Sequence, residues 1–195
     1  MTRKAHIQRK TKETNIQLDL NVDGSGAYTI ETPIPFLNHM LELFAKHGLF
    51  DLKIKAVGDV NVDDHHLVED IALVLGEAFS KALGDKVGMN RYGSFQVPMD
   101  DAAASAIVDF SNRPHLVYET PIKKGVIKNF DVELIHHFFE SLVQKAGINL
   151  HLSVLRGENK HHVLEALFKA LARAMDQATQ IDPRRRDVPS TKGTL

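Results

Sequence analysis

The chain has 195 residues, of which 43% are hydrophobic and 25% are charged, a balance typical of a soluble protein with a sizeable core, in one large domain or two small fused halves. A formal net charge of −1 excludes a global basic field for nucleic acid or a membrane surface, and the lack of cysteine excludes disulfides, thiolate metal sites and cysteine nucleophiles. No segment approaches the roughly 20 apolar residues of a membrane span, and the N-terminal segment lacks the apolar run of a signal peptide, so we expect a cytoplasmic protein.

In the first half of the chain, apolar residues alternate with polar ones and later recur with a helical period, which predicts strands followed by helices. The first helix follows two prolines and ends at Gly48. The second helix has Asp63 or Asp64 as its N-cap and is closed by Gly84. The predicted elements are strands at 5–10, 15–21 and 27–30, a helix at 36–47, a strand at 49–57 and a helix at 65–83.

The second half repeats this alternation, and its helices and strands are again punctuated by glycine. The segment 182–195 has no periodicity and holds three consecutive arginines, which are typical of a solvated tail or an inter-subunit contact. The predicted elements are strands at 92–98, 103–110 and 116–119, a helix at 132–146, a strand at 148–155 and a helix at 160–180.

The two halves contain a repeated segment. GLFDLKIKAVGDVNVDDHHLVEDIALVLGEAF aligns with GINLHLSVLRGENKHHVLEALFKALARAM once three loop residues are removed. In both copies a glycine ends a helix, a strand follows, a second glycine ends that strand, and a helix opens with His-His-x-x-Glu. We therefore predict an α/β (α+β) fold of two fused similar halves, with two antiparallel or mixed sheets, helices on one face and four main helices.

The doubled His-His-x-x-Glu motif is the strongest indication of chemistry. Residues four apart share a helix face, so His65 points with Glu69, and His161 points with Glu165. The second histidine of each pair points about 100° away, so one helix start can serve two metal ions. Imidazole and carboxylate donors suit Mn, Fe, Co, Ni or Zn. A chance His-His with a glutamate that complements the helix dipole explains one copy, but two copies at equivalent places favour metal sites.

Other candidate ligands and phosphate-binding residues lie outside the doubled motif. His39 is expected to be a ligand, because each half would otherwise lack donors for an octahedral site. His137 and His151 remain open, and His136 is expected to be exposed. Asp100-Asp101 is either an acid/base pair or a structural turn. The candidates for phosphate binding, each also an ordinary surface residue by type, are Arg91, Arg113, Ser190 and Lys192.

At these residues the chain resembles the imidazole glycerol-phosphate dehydratase family of histidine biosynthesis, over nearly its whole length. The anchors of the resemblance are Arg9-Lys10-Thr11-Lys12-Glu13-Thr14, Phe36-Leu37-Asn38-His39-Met40-Leu41, Asp63-Asp64-His65-His66-Leu67-Val68-Glu69-Asp70, Arg91-Tyr92-Gly93, Pro98-Met99-Asp100, Arg113-Pro114, Gly157–Glu165 and Pro189-Ser190-Thr191-Lys192-Gly193. Three places depart from the family pattern: Asn112 replaces Gly, His115 replaces an aromatic residue, and Asp101-Ala102 replaces Glu-Ala.

The resemblance implies a four-stranded mixed sheet in each half, and a single catalytic domain of two pseudo-repeats, about 1–90 and 91–180, with a substrate-binding tail at 181–195. It implies two manganese ions per active site, at subunit interfaces of a 24-subunit homo-oligomer. The implied metal ligands are His39, His65, His66, Glu69, His161, His162 and Glu165, completed by His137 or His151. Glu13 is the implied acid/base residue. The implied substrate contacts are Glu13, His39, His47, His65, Glu69, Arg91, Arg113, His161, Ser190 and Lys192.

The implied reaction removes water from D-erythro-imidazole glycerol phosphate through a metal-bound imidazolate and gives imidazole acetol phosphate. Two other functions share the same histidine motifs. One is a metal-dependent hydrolase that uses a metal-activated water, and the other is a non-catalytic metal-binding cage protein. The basic residues away from the motifs, together with Glu13, argue against the cage protein.

Overall fold

A computed structural model describes residues 3–195 of the chain; Met1 and Thr2 lie outside the described residues. The first half contains β1 (Lys4–Lys10), β2 (Thr14–Asn21), β3 (Tyr28–Glu31), α1 (Pro35–Gly48), β4 (Asp51–Gly58) and α2 (His65–Leu83). The second half contains β5 (Tyr92–Met99), β6 (Ala102–Asp109), β7 (His115–Glu119), β8 (Val126–Ile127), β9 (Phe130–Asp131), α3 (Leu134–Ala146), β10 (Asn149–Arg156) and α4 (Lys160–Thr179).

Each half forms a four-stranded mixed sheet, and the two sheets have the same strand order. The first sheet runs β1-β2-β4-β3, and the second runs β5-β6-β10-β7. In each sheet the last pair is parallel, because a helix carries the chain back between its two strands, α1 before β4 and α3 before β10. The other pairs are antiparallel. The prediction of two fused similar halves with four-stranded mixed sheets is therefore confirmed.

The helices cover one face of each sheet and join the two halves. Along β2, Ile16, Leu18 and Leu20 are buried while their neighbours are exposed, so one face of the strand meets the core. The helix α2 contacts β1 and β2, and α4 contacts β5 and β6. Between the halves, α1 contacts α4 and α2 contacts α3, so the apolar residues form one continuous core. Within residues 3–195, no helix combines the length and apolar character needed to cross a membrane.

Several element boundaries differ from the sequence prediction for local reasons. The strand β4 begins at Asp51 rather than at residue 49, because Leu49 adopts a left-handed conformation (φ 57°) and its N–H caps α1 by donating to Ala45. Asp64 is the N-cap residue of α2, but its carboxylate makes no capping bond; the carboxylate of Asp63 accepts the N–H of His65 instead. The hairpin β8–β9 was not predicted, since its two-residue strands are too short to show alternation.

Candidate active site

A first metal-capable group, termed cluster one, consists of His39, His161 and Glu165. One donor atom from each residue lies within 4.8 Å of the other two. The Nε2 atoms of His39 and His161 lie 3.3 and 3.2 Å from Oε2 of Glu165. His39 comes from α1 and the other two from α4, so cluster one forms where helices of the two halves pack together.

The start of α4 fixes the geometry of cluster one. The side-chain oxygen of Asn159 accepts the backbone N–H groups of His161 and His162, which satisfies two donors that the first turn of a helix leaves unpaired. The helix then places His161 and Glu165 one turn apart on the same face.

Lys169 is a member of this site that the sequence analysis did not identify. Its Nζ lies 2.6 Å from Oε1 of Glu165, whose side chain is only 9% exposed. Burial by itself raises the pKa of Glu165, but the hydrogen bond and charge of Lys169, together with His39, lower it overall, so the carboxylate stays ionised. Burial lowers the pKa of His47 at the end of α1, and the charge of Lys169 adds to this effect. The spacing of four residues from Glu165 was the available indication of Lys169.

A second group, termed cluster two, consists of His65, Glu69 and His137. The ring centroids of His65 and His137 lie 4.8 Å apart, and Nε2 of His65 lies 3.6 Å from Oε2 of Glu69. The group borders a cavity of about 520 Å³. Its glutamate is 44% exposed, so cluster two is more open to solvent than cluster one.

The two clusters are related by the internal repeat, and each draws on both halves. Cluster one takes one histidine from α1 and a histidine and a glutamate from α4. Cluster two takes one histidine from α3 and a histidine and a glutamate from α2. The sequence does not show which residues pair, and the structure places His39 and His137 at equivalent positions in the two clusters.

The second histidine of each doubled motif points away from the clusters of its own chain. The Nδ1 atom of His162 lies 2.6 Å from a carboxylate oxygen of Asp101, and Nδ1 of His66 lies 3.1 Å from one of Asp59. The hydrogen bond to Asp59 raises the pKa of His66. This divergence agrees with the angle predicted from the helix period.

Glu13 lies in the turn between β1 and β2, which is anchored to α2. Arg9 and the hydroxyl of Thr14 both bind the carboxylate of Asp70 on α2, and Thr11 closes the turn by accepting the N–H of Glu13. The carboxylate of Glu13 is exposed and forms no hydrogen bond or ion pair within residues 3–195. The turn therefore holds the backbone of Glu13 in place and leaves its carboxylate free of partners within residues 3–195.

The phosphate-binding candidates are only partly brought together. Arg91 is buried and paired with Asp109 at 2.6 and 3.0 Å, and its Nη1 donates to the carbonyl of Pro189 at 2.8 Å. This bond holds the tail against β5, so Ser190 lines the same groove as Arg91. Lys192 is exposed, and its backbone N–H donates to the hydroxyl of Ser190. Arg113 lies on an exposed loop outside this groove.

The remaining histidines and the departures from the family pattern occupy surface positions. His151 is exposed on β10, with its ring centroid 6.3 Å from that of His115, and lies in neither cluster. His136 is exposed, as expected, and stacks on Tyr118. Asn112 has a φ of 57°, a left-handed conformation that favours glycine but that asparagine tolerates. Its side-chain oxygen accepts a hydrogen bond from Lys86.

The donor set fits a divalent metal ion. Two imidazoles and one carboxylate suit the ions of the manganese-to-zinc series, and the absence of cysteine excludes thiolate sites. These three donors would fill only half of an octahedral shell, so an octahedral ion at cluster one would need further donors. The fold and site together define a duplicated α+β protein with a metal-capable His/His/Glu group.

Comparison with known proteins identifies the family. The sequence profile of the family described as imidazoleglycerol-phosphate dehydratase matches residues 32–175. Dehydratases of this name from Pelobacter propionicus and Geobacter metallireducens are each 56% identical over 195 residues, which cover 100% of both chains. The crystal structure of the Staphylococcus aureus dehydratase is 36% identical, with a TM-score of 0.83, over 92% of this chain and 99% of that one. The Pyrococcus furiosus dehydratase in complex with (S)-C348 is 37% identical, with a TM-score of 0.84, over 97% and 100%.

The chain therefore belongs to the imidazoleglycerol-phosphate dehydratase family, the hydro-lyases of histidine biosynthesis. The resemblance stated from the sequence is confirmed.

Proposed function

We propose that the protein converts D-erythro-imidazole glycerol phosphate to imidazole acetol phosphate and water. The observation that carries this proposal is cluster one, in which two imidazoles and an ionised carboxylate converge within 4.8 Å at the start of α4. The names of the full-length relatives support the substrate. The biosynthetic role is the reason to place the enzyme in the cytoplasm.

We propose two manganese ions per active site. One is held by His39, His161 and Glu165 and the other by His65, Glu69 and His137, and the divergent His66 and His162 supply further donors. His151, which is exposed on β10 outside both clusters, is not among the proposed ligands. When bound, such an ion supplies Lewis acidity that favours the anionic form of an imidazole ring. His39, His65, Glu69 and His161, the members of the two clusters that are also proposed substrate contacts, would then lie against the substrate ring.

The direction of the second histidines supports the completion of each site by a neighbouring copy. Each cluster has three donors, while His66 and His162 point elsewhere in their own chain. Donation across a subunit interface gives each ion the ligands that it lacks. This geometry supports a closed homo-oligomer with interfacial sites, and we propose the 24-subunit assembly.

Glu13 is the proposed acid/base residue. The reaction expels a hydroxyl, which leaves as water once protonated, and removes a proton from the adjacent carbon to give an enol that becomes the ketone. A single carboxyl group can supply the first proton and accept the second. The exposed and unpaired carboxylate of Glu13 has the freedom that this exchange requires. Its charge also contributes to the raised pKa of His66, a proposed ligand.

The substrate phosphate is assigned to four residues, of which Arg91 and Ser190 line the groove between β5 and the tail. We propose that Arg91, Arg113, Ser190 and Lys192 bind it, with 181–195 as a substrate-binding tail of a single catalytic domain. The bond from Arg91 to Pro189 supports this role for the tail. The phosphate lies away from the reacting atoms, and the binding energy gained there orients the rest of the substrate. His47, which lies in the field of Lys169 and Glu165, is a further proposed substrate contact.

The test is the Glu13→Gln variant, assayed for bound manganese and for ketone production from imidazole glycerol phosphate. We expect unchanged metal content and particle size, with a loss of kcat of roughly 100-fold or more, because the amide cannot carry the proton. Glu31→Gln, an exposed glutamate on β3, is the matched control and keeps full activity.

Three outcomes contradict the proposal. Unchanged turnover in Glu13→Gln removes Glu13 from the mechanism. Phosphoester or amide hydrolysis without ketone formation favours the hydrolase. Bound metal without any turnover in the wild-type protein favours a metal-binding cage.

A further inference from the structure

The turn between β5 and β6 is fastened to the start of α4 by one carboxylate. The two oxygens of Asp101 accept three hydrogen bonds. One is from Nδ1 of His162 at 2.6 Å, and two are from the backbone N–H groups of Glu158 and Asn159 at 3.0 and 3.2 Å. No other carboxylate in the described chain binds both a histidine ring and a helix start in this way.

The surrounding backbone leaves this arrangement little freedom. Gly157 has a φ of 131°, and a Cβ added there would lie 2.6 Å from Cβ of Ala102, so the loop before α4 packs directly on the turn. Asn159 caps α4 and binds the N–H of His162. Asp101 therefore holds both the helix end that carries His162 and the ring itself.

The contact determines which ring nitrogen is available for binding. An ionised carboxylate only accepts hydrogen bonds, so Nδ1 of His162 carries the proton and Nε2 of the neutral ring bears the lone pair. A carboxylate oxygen of Asp100 lies 3.6 Å from Nε2, beyond hydrogen-bond distance, and the side chain of Asp100 is 70% exposed. The Nε2 atom is therefore left available to bind a metal ion.

We propose that Asp101 is a positioning residue for the metal centre: it fixes the tautomer and direction of His162, so that Nε2 is offered to an ion shared with a neighbouring copy. This inference rests on the proposed function, in which His162 is a ligand. Carboxylates that bind the second nitrogen of a ligating histidine orient the ring and raise its basicity. Asp59 faces His66 more loosely, at 3.1 and 3.3 Å, and its carboxylate binds no backbone N–H in the described chain.

Because of the internal repeat, the turn between β5 and β6 can be compared with the turn between β1 and β2 in the same molecule. Asp101 immediately precedes β6, as Glu13 immediately precedes β2. The carboxylate of Glu13 forms no hydrogen bond within residues 3–195, whereas both carboxylate oxygens of Asp101 accept hydrogen bonds. Equivalent turns therefore carry one acid that can exchange protons and one that orients a ligand.

The test measures the manganese-binding isotherm of the assembled protein, following free Mn²⁺ by its electron paramagnetic resonance signal. In Asp101→Asn, the single amide oxygen is needed by the two backbone N–H groups, so the NH₂ group faces Nδ1 and moves the ring proton to Nε2. We expect one class of site to bind Mn²⁺ roughly 10- to 100-fold more weakly. Asp101→Glu, which retains a carboxylate, restores most of the affinity. Asp85→Asn, in an exposed turn, leaves the isotherm unchanged.

A double-mutant comparison separates positioning from a general structural role. His162→Gln weakens one class of site, and adding Asp101→Asn to it causes no further loss, since the ring that Asp101 orients is gone. A further loss in the double variant, or an unchanged isotherm for Asp101→Asn alone, overturns the inference. An unchanged isotherm for His162→Gln instead removes His162 from the proposed ligand set. If Asp101→Asn does not assemble, Asp101→Glu and Asp101→Gln make the same comparison at equal side-chain length.

Discussion

Glu165 and Glu69 occupy equivalent positions in the repeat, yet their surroundings differ. Glu165 is paired with Lys169, and both side chains are nearly buried, at 9% and 15% exposure. Glu69 is 44% exposed, and the position equivalent to Lys169 on α2 is Leu73. The sequence alone identified both glutamates, because the helix period places each beside a histidine. It could not show which glutamate is buried, since burial depends on the packing of α4 against the other half.

This difference predicts unequal effects on stability. In metal-free protein, Glu165→Gln leaves the charge of Lys169 without its partner in a nearly dry site, so we expect a loss of about 2–3 kcal/mol in the free energy of unfolding. Glu69→Gln is the matched control and changes it by less than about 0.5 kcal/mol. Urea denaturation measures both, and equal losses would contradict the assigned role of Lys169.

Asp51 gives a prediction about pH. Its carboxylate accepts N–H groups from Ser25 and Ala27 and an amide N–H from Asn21, with the bond from Ser25 as the largest cause, and these bonds lower its pKa to about 2. Because the folded pKa of about 2 lies below the unfolded value of about 3.9, this stabilisation is complete only above about pH 5 and is lost progressively as the pH falls from there through about 2.

We expect Asp51→Asn to lower the free energy of unfolding by about 1–2 kcal/mol at pH 7, where the carboxylate bonds are intact. The difference from wild type should shrink between pH 4 and pH 2, as measured by urea denaturation at each pH. Asp85→Asn, which loses one exposed turn bond, is the control at about 0.5 kcal/mol or less. A difference that is independent of pH would contradict the role of the Asp51 charge.

At the scale of elements, the positions of the glycines and the periodic spacing of the hydrophobic residues were enough to predict the helices and main strands. Gly48, Gly84 and Gly147 lie where helices end, and each of the four helices begins within about two residues of its predicted start. The crossing of helices was not predictable, because a repeated pattern shows that two halves are similar but not which helix of one meets which helix of the other. The hairpin β8–β9 lacked any period to detect.

The crossing of α2 and α3 depends on Gly76. A Cβ added there would lie 2.7 Å from the carbonyl oxygen of Leu142 and 2.9 Å from the backbone nitrogen of Ala146. We expect Gly76→Ala to force the helices apart, with a loss of about 1–3 kcal/mol and weaker metal binding at cluster two, whose residues these helices carry. Calorimetry and metal titration measure the two effects. Gly84→Ala, where a Cβ meets nothing within 4 Å, is the control for unchanged metal binding.

At the scale of the whole molecule, the proposed completion of each metal site across subunits would link metal binding to assembly. We expect a chelator to abolish activity and to convert the large particle to smaller species in sedimentation velocity, and added Mn²⁺ to restore both. A sedimentation coefficient that does not respond to chelator, while activity is lost, would place the ions within single chains. The sequence predicted the ligand types for this linkage, but the outward direction of His66 and His162 required the fold.

Each cluster combines a helix from one half with a helix from the other, and this arrangement also bears on how such a protein arises. A polypeptide of one half's length, with one His-bearing first helix and one His/Glu-bearing second helix, would make no cluster within itself. Two identical copies facing each other in the same arrangement would make two identical clusters at once. Joining the copies into one chain would free each cluster to change separately, and the lysine beside one glutamate and the leucine beside the other are a difference that such freedom allows.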